Sequence, residues 1–128
     1  MKISTAILWI VKLVVATILL QTLYFKFSAH PDSVHIFDKT GLGSLGRIGS
    51  GIAELIIAVL ILVPRTTWLG AIGALGMMSG AILFHLTSLG IEVNGDGGLL
   101  FNLALIVFIG ALYLLFKTRS DIPFINKD

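Results

Sequence analysis

Four long apolar runs, at residues 6–25, 48–63, 68–89 and 99–116, dominate this 128-residue chain. An α-helix needs roughly 20 apolar residues to cross a bilayer's hydrocarbon core, so four such runs leave only short connections. With 56% hydrophobic and 12% charged residues, the chain also lacks the polar surface of a water-soluble fold. The sequence therefore predicts an all-α, integral membrane four-helix bundle, a single domain over residues 1–128, with a short outer helix between spans one and two.

The first run does not read as a cleaved signal, because it is too long for a signal core and Lys12 interrupts it. The second is short, about 24 Å at 1.5 Å per residue, so it either starts nearer Leu45 or thins the bilayer locally. Pro64 closes it, and Thr66 and Thr67 are natural N-caps for span three, giving a tight helical hairpin. Glycines 90, 95, 97 and 98 mark the last turn. Pairs of small residues four apart, Gly49/Ala53, Gly70/Ala74 and Gly76/Gly80, favour close helix approach and leave homo-oligomerisation open.

The net charge of +2 is small and its basic residues are scattered toward the span ends, which excludes nucleic acid as a partner and gives no polybasic lipid-binding patch. With no cysteine, the chain has no disulfide framework, thiolate metal site or dithiol chemistry. Lys2, Arg65, Lys117, Arg119 and Lys127 fall on one side of the predicted bundle, against Lys26, Lys39 and Arg47 on the other. The positive-inside rule then places both termini in the cytoplasm of a bacterial inner membrane, with Trp68, Trp9 and Tyr24 as interfacial anchors.

Span direction brings the polar residues together in depth. Gln21 and His85 lie about four residues before the outer ends of spans one and three, Glu54 about six into span two and Asn102 about three into span four, all within about 5 to 10 Å of the outer boundary. Arg47, seven residues before Glu54, falls within about 20° of it on a helix, close enough to tune the carboxylate's charge. Lys12 lies half a turn from Gln21's face and is expected to snorkel toward the cytoplasm. The plain alternative is that Gln21 and Asn102 are interhelical hydrogen-bonding glue and His85 a packing histidine. A carboxylate such as Glu54 in a span argues more strongly for function.

The loop at residues 26–46 is long, and Pro31 followed by a polar run to Lys39 and Gly41 predicts a short helix over the outer mouth. Lys26, His30, His35 and Asp96 are its neighbours and the outer-loop candidates. His30, His35, His85 and Glu54 make a thinkable nitrogen and oxygen ligand set, but the histidine spacing does not share a helix face, so no metal site is assigned.

Lys26-Phe27, Arg47, Gly49-Ser50-Gly51, Glu54, Pro64, Gly70, Gly80, His85-Leu86 and Asp96-Gly97 together resemble the DoxX-like family of small four-span bacterial membrane proteins. The resemblance implies a link to quinol oxidase and thiosulfate:quinone oxidoreductase subunits and to redox protein partners. Without cysteines, this chain cannot pass electrons through disulfides as some related-looking bundles do. The leading expectation is a redox-associated subunit with an outer pocket for a quinone-like ligand, no cofactor held within the chain, and no catalysis assigned to the isolated chain. In this pocket Glu54 and His85 handle protons, Gln21 and Asn102 hydrogen-bond carbonyl oxygens, and Arg47 tunes Glu54. A non-catalytic scaffold for a membrane partner is the alternative. A transporter is disfavoured, since Lys12 alone marks the inner half.

Overall fold

A computed structural model describes residues 3–93 and 95–123; Lys2 and Lys127, used above for topology, lie outside them. The helices are α1 (Ile3–Phe27), α2 (Pro31–Lys39), α3 (Gly43–Leu62), α4 (Thr67–Phe84) and α5 (Leu99–Lys117). A 3-10 turn precedes α4, a π turn at His85–Leu89 extends it, and another 3-10 turn follows α5. α1, α3, α5 and the continuous segment Pro64–Leu89 are each long and apolar enough to cross a membrane. At 20 residues α3 is about 30 Å long, so it needs no thinned bilayer.

The four spans form a ring in which α1 packs on α3 and α5, and α4 packs on the same two helices. α2 lies across one end, against α3, α1 and the π turn. Ile3, the start of α4 and the end of α5 are at the other end, called here the terminal side. Core side chains come from all four spans, with Val15, Leu19, Ala58, Ile61, Val107 and Leu114 essentially inaccessible. Outward faces keep residues such as Ile10, Val59, Leu83 and Ile109 exposed, as lipid contact requires.

Close approach is concentrated at a few glycines. A Cβ at Gly70 would sit 2.7 Å from Ile61 Cγ1 and 2.8 Å from Ile61 N, so α4 rides directly on α3 there. A Cβ at Gly110 would meet Val15 Cγ2 at 2.7 Å, fixing the α1–α5 crossing. The other expected small-residue pairs are not in seams, since Gly49, Gly76 and Gly80 have nothing within 4 Å of a built Cβ. In α3 the contact belongs to Gly51, packed against the Phe27 ring.

The Thr66–Thr67 hydroxyls do not cap α4, which has no side-chain cap bond. Thr66 Oγ1 donates to Leu60 O at 2.8 Å and Thr67 Oγ1 to Ile61 O at 2.8 Å. They close the preceding helix, because Pro64 ends α3 where its last carbonyls need donors and lipid supplies none.

Gly70→Ala should lower thermal stability in detergent by about 1 to 3 kcal/mol through overpacking. Gly76→Ala, with open space around it, should be neutral or raise stability by up to about 1 kcal/mol through helix propensity. Equal effects at both positions in thermal unfolding would contradict the placement of the α3–α4 seam.

Candidate functional site

α1 does not stop at Phe25. It runs to Phe27 and ends with Ala29 in a left-handed conformation (φ 56°), while the His30 N–H donates back to Phe25 O at 3.0 Å. This extra length puts Lys26 on the helix, in register with the buried Lys12, Val15 and Leu19. Its side chain points into the bundle. Lys26 Nζ meets Glu54 Oε1 of α3 at 2.5 Å. Thr22, one turn earlier on the same face, places Oγ1 2.8 Å from Leu19 O and 3.1 Å from the same Glu54 oxygen. Its single hydroxyl proton serves one of these acceptors at a time.

Arg47 does not make the expected approach to Glu54. Its Nη1 donates instead to the Lys26 carbonyl, one of the acceptors that α1 leaves open at its end. Lys26 is thus tied to α3 twice, by its backbone through Arg47 and by its side chain through Glu54. Both partners are nearly inaccessible, Arg47 at 8% and Glu54 at 4%.

α2 covers this arrangement. Pro31 at its first turn, the His30 ring accepting the Asp32 N–H at 3.2 Å, and the Thr40 N–H bonded to Ile36 O define its ends. Ser33 and Phe37, four apart, face inward, and the Phe37 ring centroid lies 5.6 Å from Lys26 Nζ. Across from Glu54, His85 begins the π turn. Its Nδ1 is 2.9 Å from Gly90 O and its ring packs edge-on to Phe101 at 5.6 Å. A carbonyl only accepts, so Nδ1 carries the proton, which leaves Nε2 as the ring nitrogen that a neutral imidazole would use as an acceptor.

Between these walls is a cavity of about 470 Å³, lined by all four spans and by α2. Glu54, Lys26, Thr22 and His85, together with Gln21, Asp32, Ser33, Thr40, Ser50 and Asp96, supply polar groups to a lining otherwise made mostly of Leu, Ile, Phe and Met. Glu54 Oε1 is engaged by the protein, whereas Oε2 has no protein donor among the described residues. Such a site can receive a largely apolar molecule and orient one polar end.

The sequence matches the model of the DoxX-like family over residues 10–112, which covers every group just described. The chain belongs to the DoxX-like family. No curated protein and no solved structure matches it significantly.

In this DoxX-like protein the remaining candidates take other places. Gln21 is exposed at the edge of the cavity, and Asn102 is exposed and outside its lining. The half-turn separation of Lys12 and Gln21 holds, but Lys12 is the inward residue, 2% exposed, with Nζ 4.2 Å over the Trp9 ring instead of snorkelling to water. His30 caps α2 and stacks edge-on against Phe25, and His35 is exposed on α2. Among the described residues no three His, Asp or Glu side chains form a metal-binding group. Thr22 was missed, although its position four before Lys26 marks a shared face.

Asp96 anchors the α4–α5 loop. Its Oδ1 accepts the N–H groups of Val93 at 3.0 Å and Gly98 at 2.8 Å, and Oδ2 accepts that of Leu100 at 3.2 Å. Slight burial pushes its carboxyl upward, but bonds from Val93, Gly98, Leu100 and Leu99 outweigh that and hold it below the usual 3.8. A lowered folded value gives stabilisation that is full above the ordinary carboxylate range and lost as pH falls through the folded value.

Lys26→Met and Glu54→Gln should each destabilise the bundle, and the double variant should lose less than their sum by about 0.5 to 3 kcal/mol in a thermal-unfolding cycle. Simple additivity would show that the pair is not coupled. Amide exchange in residues 90–98 should quicken below about pH 3.8 once corrected for intrinsic rates, and Asp96→Asn should quicken it at neutral pH, while α3 amides stay protected in both.

Proposed function

We propose that this protein is a redox-associated membrane subunit that binds a small amphiphile with a quinone-like head group beneath α2. The cavity carries this reading: about 470 Å³, mostly apolar, with the Glu54–Lys26–Thr22 cluster on one wall and His85 on another. That volume lies within the roughly 300 to 1,000 Å³ usual for small-molecule sites. A quinone head has two carbonyl oxygens, and the Lys26 ammonium is the donor closest to hand for one of them. His85 Nε2 and Glu54 Oε2 suit the hydroxyl groups of the reduced form, accepting protons as it is oxidised.

The chain contributes binding and proton groups, while electrons are exchanged with a partner protein. With both termini in the cytoplasm, as the basic residues favour, the cavity opens in the outer leaflet. α2 would then face the partner or the external medium.

A benzoquinone without side chain, titrated into purified protein, should bind about tenfold or more weakly to Glu54→Gln and to His85→Ala, the loss expected for one hydrogen bond to a charged or buried group. Both variants should retain wild-type helicity by circular dichroism. Unchanged affinity in both, with folding intact, would overturn the assignment.

A further inference from the structure

α1 and α5 approach closely near mid-span, on the terminal side of the cavity. Val11 and Val15 of α1 close on Gly110 of α5, where even a Cβ would meet Val15 at 2.7 Å. Steps of three and four residues continue that same α1 face through Ile18, Thr22 and Phe25. All three line the cavity. The matching face of α5 continues from Gly110 through Val107, Leu103 and Leu99, and these line it too. Two helix faces that touch near mid-span thus part around the cavity on the α2 side. The divergence runs from Gly110 to Leu99, roughly 16 Å along the helix axis.

This divergence reaches the protein's outer surface. Gln21 and Phe25 on α1 and Leu99 on α5 line the cavity, yet Phe25 is 38% and Leu99 56% exposed, and Gln21 is exposed as well. They lie toward the α2-side ends of two helices of membrane-spanning length and apolarity, so a bilayer around the bundle would meet that surface with its outer hydrocarbon. The slot is apolar except for the Thr22 hydroxyl within it and Gln21, whose amide can donate and accept at its edge.

The geometry points to a lateral portal between α1 and α5, through which a ligand's apolar tail leaves the cavity for the bilayer while its head stays at Glu54 and His85. This inference rests on the head-group site proposed above and adds the class of ligand: a membrane-dissolved amphiphile with a long hydrocarbon tail. A free, water-soluble substrate has no use for a slot facing lipid. A tailed molecule enters sideways and keeps most of its apolar surface in hydrocarbon throughout.

The chain has no cysteine, so a single introduced thiol can be labelled alone. Gln21→Cys carrying a bulky maleimide should bind a decyl-substituted benzoquinone at least tenfold more weakly than the same variant unlabelled. Binding of the tail-less benzoquinone should change less than twofold. The same label on Ile52→Cys, on the exposed face of α3, should affect neither. Undiminished decylquinone binding after labelling at position 21, or equal weakening of both quinones, would overturn the portal.

If the unlabelled protein binds neither quinone, the head-group assignment fails by itself, and the portal is read independently. A nitroxide on Leu103→Cys, in protein reconstituted in bilayers, should collide frequently with oxygen and rarely with a water-soluble nickel chelate. Accessibility to the chelate alone, or to neither reagent, would overturn it.

Discussion

A carboxylate inside a bilayer needs a cation, and the placement of Lys26 beside Glu54 organises the α2 end of this protein. Desolvating either group alone is costly in a low-dielectric medium, whereas pairing them with a further hydroxyl offsets much of that cost. The pair needs α1 to remain helical past Phe25, so that Lys26 projects inward. It needs α3 to begin early, so that Arg47 is helical and can reach the open carbonyl at the end of α1. It also needs cover from water, which Phe37 of α2 supplies.

The two ends of the bundle solve different packing problems. From mid-span toward the termini, Gly70, Gly110 and small residues such as Ala111 and Ala16 let helices approach until side chains interlock. Toward α2, Phe, Leu and Met side chains hold the helices apart around a space that the protein leaves unfilled. Since lipid provides no hydrophobic drive for helix association, tight contact at one end is what holds the open end together. The Asp96 loop and the Arg47 bond close the remaining backbone groups there.

Much of this was legible in the residues. Apolar run length located the spans, and Pro31, Lys39 and Gly41 located α2. Chain direction brought Glu54 and His85 to one end, where both line the cavity. Rotation about the helix axis was harder to read. Gln21 and Asn102 have the right depth but look outward, while Lys12 and Lys26 look inward, because hydropathy is nearly uniform around a span and carries little phase information. The partner of Glu54 was misread for a related reason. Arg47 shares its helix and is predictable from 3.6 periodicity, but Lys26 comes from another helix through a tertiary contact.

The Glu54–Lys26 bond also bears on how the chain enters the membrane. Lys26 finds its counter-charge 28 residues downstream, on a helix made later. Until that helix emerges, the end of α1 carries an uncompensated ammonium on its inward face and is better held near the headgroups than in hydrocarbon. α1 and α3 therefore favour insertion as a pair, with α2 settling as their cover. The groups that shape the finished cavity make the first half of the protein a cooperative unit of biogenesis.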